Sequence, residues 1–171
     1  NAGVGIGRGV LETPEDDWDL AFAVNVHAHR WAAKYLLPDW LERGEGYFCS
    51  TASAAGLLMQ IGSGPYTVTK RAAVAFAEYM AVTYGDAGIK VTCLCPQGVN
   101  TQMLHAGDDA FSGSNVVKAA GVVLEPADVA RAYRIAREVT AASDRWAALE
   151  ALDGVIDPVV QNELMTSVDW V

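Results

Sequence analysis

The chain has 171 residues, of which 51% are hydrophobic, so it can bury one sizeable core, and we expect a single domain over 1–171. Its 12 basic and 21 acidic residues give a formal charge of −9, which repels phosphate backbones and anionic lipid surfaces. No stretch approaches the roughly 18 uninterrupted apolar residues of a membrane helix, and no signal-like pattern begins the chain. We therefore expect a cytoplasmic protein that binds neither nucleic acid nor membrane.

The cysteine and histidine spacing does not indicate a metal site. Cys49, Cys93 and Cys95 lie within apolar runs, without a second cluster of Cys or His at metal-binding spacing. We interpret them as buried structural cysteines. His27 and His29 are two positions apart on a predicted helix, so their side chains point to different faces. The sequence therefore predicts no metal ligands.

The first predicted helix follows a glycine-rich segment at 3–9. Thr13 is a suitable cap, and Pro14 suits the first turn. Apolar residues then recur at helical spacing until Pro38 disturbs the helix and glycines at 44 and 46 end it. The stripe contains Leu20, Val24, Ala28, Trp31, Tyr35 and Leu36. Residues 47–50 form a short apolar run after that turn, which predicts a buried strand.

The second half of the chain repeats the same order of elements. Residues 66–84 predict a helix with Pro65 in its first turn, and 90–95 predict a strand ended by Pro96. A third helix begins near Pro126. Its apolar face consists of Val129, Ala132, Ala136 and Val139. Residues 102–125, between the second strand and the third helix, are interpreted as a mobile loop that covers a substrate. Residues 141–171 are interpreted as a carboxy-terminal extension of uncertain structure.

Helices that alternate with wholly apolar strands predict an α/β fold. Strands without a polar, solvent-exposed face are typical of a parallel sheet that is covered by helices on both faces. The order helix, strand, helix, strand is that of half a doubly wound fold, in which crossovers are right-handed.

Three side chains predict the chemistry. Tyr66 and Lys70 are four positions apart on the second helix, so they share a face, with Cβ atoms about 6 Å apart. A neighbouring ammonium stabilises a phenolate, so Lys70 should lower the pKa of Tyr66 and make it a general acid/base near neutral pH. Ser53 lies thirteen residues before Tyr66, just beyond the first strand, where its hydroxyl can hold a substrate oxygen.

This arrangement resembles the short-chain dehydrogenase/reductase family, whose active site combines a serine after the fifth strand with Tyr-x-x-x-Lys on the next helix. Three further segments are similar to family motifs. Asn1-Ala2-Gly3 resembles the end of the Asn-Asn-Ala-Gly motif, and Asn25 resembles the asparagine of the catalytic tetrad. Pro96-Gln97-Gly98-Val99, with Thr101, resembles the segment that faces the nicotinamide.

The resemblance implies an NAD(P)-dependent oxidoreductase that interconverts a secondary alcohol and a ketone. Tyr66 would exchange a proton with the substrate oxygen, and Lys70 would lower the pKa of Tyr66 and hold the cofactor ribose. Ser53 would orient and polarise the carbonyl, and Asn25 would support a water relay to Lys70. The implied cofactor contacts are Asn1, Ala2, Gly3, Tyr66, Lys70, Pro96, Gly98, Val99 and Thr101.

The resemblance also implies a Rossmann-like doubly wound parallel sheet with helices on both faces. The first three strand-helix units, about 90 residues, would precede this chain. The residue that selects NAD or NADP would lie among them, so either cofactor is compatible with the sequence. Family members usually associate through two long helices, which implies a homodimer or homotetramer.

Two other functions stay open. Nucleotide-sugar epimerases and dehydratases share the scaffold and the Tyr-x-x-x-Lys pair, although the Ser-Ala-Ala-Gly context favours the alcohol and ketone chemistry. The chain could instead be a binding or assembly module, because the glycine-rich dinucleotide turn is not in it. An apolar pocket for a small to medium, partly apolar substrate is suggested by Leu57, Leu58, Met59 and Met103.

Overall fold

A computed structural model of the chain describes residues 2–106 and 123–141. The helices are α1 (Glu15–Phe22), α2 (Ala28–Arg43), α3 (Gly64–Tyr84), α4 (Gln102–His105) and α5 (Pro126–Ala141). The strands are β1 (Gly46–Thr51) and β2 (Ile89–Leu94). Short 3-10 turns follow β1 at Ala54–Gly56 and α3 at Gly85–Ala87. The long helices and both strands lie where the sequence predicted them, within a few residues.

The two strands pair in parallel, with Gly46 opposite Ile89 and Thr51 opposite Leu94. Side chains alternate between the two faces of a strand, and each face has its own helical cover. The larger core joins Phe48 and Cys93 to buried residues of α2 and α3. On the other face, Leu94 packs against α5. Helices therefore cover both faces of the parallel pair, which confirms the predicted α/β fold.

The predicted first helix is interrupted by a π-helical turn, Ala23–His27, which joins α1 to α2. The predicted cap is wrong, because the Thr13 hydroxyl donates to the Gly9 carbonyl at 2.6 Å, and Pro14 directly precedes α1. Helix α2 continues through Pro38, so the predicted disturbance there is wrong, and it ends at Arg43, directly before the predicted stop at Gly44.

The apolar stripe of this helix lies at the surface. Trp31 is 45% exposed and Tyr35 is 75% exposed, whereas the small residues Ala21 and Ala33 are buried. Small side chains allow α1 and the π-helical turn to approach α3 closely, and α2 to pack on β1. The extra residue in the π-helical turn changes which face of the following helix is buried.

The cysteines follow the strand alternation. Cys93 and Cys95 are buried, as predicted, but Cys49 is exposed, so that part of the prediction is wrong. Cys49 neighbours Phe48 on β1 and therefore faces the opposite side of the sheet from the larger core. Within 2–106 and 123–141, no group of three or more His, Cys, Asp or Glu residues could hold a metal ion. In the same ranges, no helix has the length and apolar character needed to cross a membrane.

The predicted substrate loop at 102–125 is partly ordered structure. Residues 102–105 form α4, and Leu124 pairs with Val99 in an isolated parallel bridge. Residues 107–122 lie outside the described residues, as does the predicted extension beyond Ala141. Helix α5 buries Ala132, Ala136 and Val139, which confirms three of its four predicted apolar positions as core.

Two glycines with positive φ meet at the amino end of the sheet and provide a test of the fold. Gly44 has φ 69° and Gly88 has φ 84°. A Cβ on Gly88 would collide with the Gly44 carbonyl oxygen, whereas one on Gly44 would enter open space. We expect Gly44→Ala to cost about 1 kcal/mol of unfolding free energy and Gly88→Ala at least about 3 kcal/mol. Urea denaturation of both variants measures the difference, and equal losses would contradict the described packing.

Candidate active site

The three residues predicted to carry the chemistry lie where the two strands end. The Ala52 amide donates to the Leu94 carbonyl at 2.7 Å, and the Ala54 amide donates to the Pro96 carbonyl at 2.9 Å. The segments that leave β1 and β2 therefore run side by side, with Ser53 between the two bonded residues. Ligand sites of open α/β sheets form in this position, outside the carboxyl ends of the strands.

Ser53 and Tyr66 are brought together. Ser53 has an extended backbone, and its Oγ accepts a hydrogen bond from the Ala55 amide at 3.2 Å. Tyr66 lies in the first turn of α3, directly after Pro65, and its hydroxyl is close enough to the Ser53 side chain for that side chain to lower its pKa. The two hydroxyls therefore form one polar group at the end of β1.

Lys70 lies one helical turn after Tyr66 and faces the same site. It is 5% exposed, and its Nζ donates to the Thr51 carbonyl at 3.2 Å. The same Nζ lies over the ring of Tyr66, 5.7 Å from the ring centroid. The structure thus brings together the serine, tyrosine and lysine that the sequence singled out.

The pKa values differ from the sequence prediction. Burial raises the pKa of Tyr66, and the hydrogen bond with Ser53 only partly opposes this change. Burial also lowers the pKa of Lys70, because it disfavours the protonated, charged form of the amine. Because the Lys70 ammonium lies over the ring face of Tyr66, burial dominates at the hydroxyl. The predicted lowering of the pKa of Tyr66 is therefore wrong for this arrangement.

Asn25 lies in the π-helical turn and is completely buried. Its Oδ1 accepts from the Val4 amide at 3.0 Å, and its Nδ2 donates to the Val4 carbonyl and to Thr69 Oγ1, each at 3.0 Å. A Cβ on Gly3 would lie 3.6 Å from both Asn25 Oδ1 and Lys70 Nζ. Asn25 therefore holds the amino-terminal segment beside Lys70, and its water relay stays a prediction.

The next predicted cofactor residues lie in the segment after β2 and at the start of the chain. Gly98 is buried and its carbonyl accepts from the Leu124 amide at 2.8 Å, which fixes the segment that follows Pro96. Val99 forms the bridge with Leu124. Thr101 is exposed, and its hydroxyl donates to the Val99 carbonyl at 3.2 Å. Ala2 is exposed.

Asn1 lies outside the described residues. For the residues that the structure does describe, position is established, but their contact with a cofactor stays a prediction.

An apolar rim, which we define as Leu58, Met59 and Ile61, lies on the chain between Ser53 and Tyr66. Its side chains are 64%, 84% and 78% exposed, respectively. Thr67 attaches this segment to α3, because its Oγ1 donates to the Gln60 carbonyl at 3.2 Å and accepts from the Gln60 amide at 3.3 Å.

Leu57, by contrast, packs against the larger core. Of the four residues suggested for an apolar pocket, Leu58, Met59 and Met103 are therefore open to solvent, and Leu57 belongs mainly to the core.

Two buried threonines of α3 were missed by the sequence reasoning. Thr69 bonds to Asn25, and Thr67 bonds to Gln60. A signal for Thr69 exists, because it lies four residues before Ala73 and eleven before Met80 on the buried face of the helix. A hydroxyl on an apolar face requires a buried hydrogen-bond partner.

A family model described as short chain dehydrogenase matches residues 1–110, which include Ser53, Tyr66 and Lys70. The chain belongs to the short-chain dehydrogenase family. The matched range contains the amino-terminal segment, the π-helical turn and helix α3. The hydrogen bonds of Asn25 connect the same three parts in the structure.

Similar curated proteins include two retinol dehydrogenases. Retinol dehydrogenase 10-B of Danio rerio is 38% identical over 108 residues, which are 61% of this chain and 32% of that protein. Epidermal retinol dehydrogenase 2 of Mus musculus is 37% identical over 108 residues, which are 61% of this chain and 35% of that protein. The short-chain dehydrogenase chain thus spans about a third of the length of these curated relatives.

Solved structures show the same fold. A gluconate 5-dehydrogenase from Burkholderia cenocepacia, in complex with NADP and tartrate, has a TM-score of 0.61 and 26% identity, over 64% of this chain and 44% of that one. A 4-hydroxyisoleucine dehydrogenase mutant complexed with NADH and succinate has a TM-score of 0.69 at 19% identity, over 78% and 57% of the two chains. The described residues therefore form part of a Rossmann-like α/β fold.

A second family model, described as glutamate dehydrogenase, C-terminal, matches residues 116–170. The structure describes 123–141 of this range, which includes helix α5. The carboxy-terminal part of the chain is therefore similar to a different family from the part that contains the active site.

Proposed function

We propose that the chain forms the catalytic part of an NAD(P)-dependent oxidoreductase that interconverts a secondary alcohol and a ketone. The placement of Ser53, Tyr66 and buried Lys70 together at the end of β1 carries this proposal. Two hydroxyl groups at the end of a parallel strand can bind one substrate oxygen, one by polarising it and the other by exchanging a proton with it.

The chemistry of each residue follows from its surroundings. Ser53 can donate to the carbonyl oxygen and so stabilise the negative charge that develops during reduction. Tyr66 has a raised pKa and keeps its proton at neutral pH, which suits the acid that protonates the oxygen of a ketone. For alcohol oxidation, Tyr66 must first lose that proton, which its raised pKa disfavours at neutral pH.

The residues around Lys70 fit a nicotinamide cofactor. Lys70 Nζ can donate three hydrogen bonds, and the described structure shows one, to Thr51. Gly3 has no side chain to fill the space between Asn25 and Lys70. Lys70 would hold the ribose hydroxyls there, and the Pro96 to Thr101 segment would face the nicotinamide. A bound reduced nicotinamide supplies the hydride for ketone reduction, and its oxidised form accepts one from the alcohol.

The apolar rim supports a partly apolar substrate. Exposed Leu58, Met59 and Ile61 lie on the chain between Ser53 and Tyr66, and Met103 approaches the space beside Gly3. Burial of such side chains against an apolar substrate is favourable by about 25 cal/mol per Å². The names of the retinol dehydrogenase relatives are compatible with this choice of substrate class.

A ketone panel tests the function. The whole protein is mixed with NADH or NADPH and ketones of increasing apolar size, and absorbance of the reduced nicotinamide is followed. We expect consumption that requires a ketone and a kcat/KM that rises with apolar size. An epimerase or dehydratase would instead convert a nucleotide sugar without net cofactor consumption. A binding module would consume no cofactor with any ketone, and that result would reject the proposal.

We also propose association as a homodimer or homotetramer through α2 and α3. Exposed apolar side chains on these helices support this proposal: Trp31, Tyr35, Leu36 and Val82. Sedimentation of the whole protein and of Tyr35→Glu tests it. A monomeric wild-type protein would reject it.

A further inference from the structure

Thr69 connects three parts of the active site through one hydroxyl group. It is completely buried on α3, between Tyr66 and Lys70. Its Oγ1 donates to the Pro65 carbonyl at 2.7 Å and also lies 3.2 Å from the Tyr66 carbonyl. The same oxygen accepts the 3.0 Å hydrogen bond from Asn25 Nδ2. A hydroxyl has one donor and two acceptor positions, so both roles can be filled together.

Asn25 in turn is hydrogen-bonded to the amino-terminal segment. Its second Nδ2 hydrogen and its Oδ1 form a pair of bonds with the Val4 backbone, each 3.0 Å long. A buried amide with both hydrogens donated is fixed in orientation, because rotation would leave polar groups without partners. Gly3, which precedes Val4, faces Lys70 Nζ. The position of Gly3 beside Lys70 therefore depends on the orientation of Asn25.

We propose that Thr69 is a positioning residue, which holds Asn25 and, through it, residues 3–4 in register with Tyr66 and Lys70. Without the hydroxyl, one hydrogen of the Asn25 amide would have no acceptor in a site closed to water. The amide would then turn or the segment would shift. The expected effect on turnover rests on the proposed function, whereas the effect on residues 3–4 does not.

Thr67 provides a matched comparison on the same helix. It is also buried, at 9% exposure, and its hydroxyl also bonds to a distant backbone segment, at Gln60. The substitutions Thr69→Val and Thr67→Val remove the same group from the same kind of environment. Each should loosen only the segment that its own hydroxyl holds. Thr69→Ser keeps the hydroxyl and should preserve the connection.

Amide hydrogen exchange of the whole protein tests the proposal without any need for activity. We expect residues 2–6 to exchange about tenfold faster in Thr69→Val. The loss of one buried hydrogen bond changes the equilibrium constant for local opening of a segment by about tenfold. The rate should be that of the wild type in Thr69→Ser. In Thr67→Val, acceleration should appear at 57–61 and not at 2–6. If Thr69→Val does not fold, Thr69→Cys, with a much weaker hydrogen-bonding group, should give a smaller acceleration at 2–6.

Turnover adds a second readout. We expect kcat of Thr69→Val to fall about tenfold with little change in ketone KM, and Thr69→Ser to restore it. Unchanged exchange at 2–6 in both Thr69→Val and Thr69→Cys would overturn the positioning role, as would equal acceleration at 2–6 in Thr69→Val and Thr67→Val. Wild-type protein without turnover, but with the expected exchange pattern, would reject the proposed function and still support the role of Thr69 in holding the segment.

Discussion

Replacement of Tyr66 by phenylalanine is expected to lower kcat/KM for ketone reduction by about 10³-fold, because a positioned general acid contributes about 10² to 10⁴-fold to the rate. Phenylalanine keeps the ring beneath Lys70 and removes only the hydroxyl beside Ser53. The variant should therefore stay folded and bind cofactor. Steady-state kinetics and a thermal melt measure the two properties together.

Tyr79→Phe is the control for this substitution. Tyr79 lies on the same helix, but it is 54% exposed and on a different face from Tyr66. The same loss of one hydroxyl should leave kcat/KM within about twofold of the wild type. If Tyr66→Phe kept more than a tenth of the wild-type rate, Tyr66 would not be the proton donor.

Replacement of Lys70 by methionine should separate activity from stability. We expect kcat/KM to fall at least about 10²-fold, because the charge beside the phenol and the proposed ribose contact are both lost. Stability at neutral pH should not fall by more than about 1 kcal/mol, because an apolar side chain of similar length replaces a buried charge. Kinetics and urea denaturation of the variant measure both effects.

The lowered pKa of Lys70 also predicts how the free energy of unfolding changes with pH. In the folded state, burial lowers the pKa of Lys70 below its usual value of 10.5. Between the lowered pKa and 10.5, the unfolded state therefore binds more protons than the folded state. The contribution of Lys70 to unfolding free energy should therefore rise with pH from the lowered pKa up to 10.5.

Lys70→Met should lack this rise, and the exposed Lys34→Met should keep it. Identical pH profiles of the wild type and Lys70→Met would show that the folded-state pKa of Lys70 is not lowered.

Local patterns were sufficient to predict the elements that carry the site. The i, i+4 spacing of Tyr66 and Lys70 gives one shared face on any α-helix, and a serine directly after a buried strand lies at the carboxyl edge of the sheet. Such relations depend on a few neighbouring residues, and the structure reproduces them. The same is true of Gly44, which ends α2 with a positive φ.

Features that depend on packing between distant segments were not predictable in this way. The stripe with Trp31 and Tyr35 has the periodicity of a core face, but the π-helical turn and the close approach to α3 place small residues inside instead. The pKa of Tyr66 depends on how much water the surrounding elements exclude, and spacing to Lys70 alone does not determine that. The bond between Asn25 and Thr69 joins residues 44 positions apart.

A crystal structure of the whole protein with a nicotinamide cofactor and a bound alcohol or ketone tests the central claim most directly. We expect the substrate oxygen to lie within hydrogen-bond distance of both Ser53 Oγ and the Tyr66 hydroxyl, with Lys70 Nζ against the cofactor ribose. A substrate oxygen that contacts neither hydroxyl, or a ribose held away from Lys70, would contradict it.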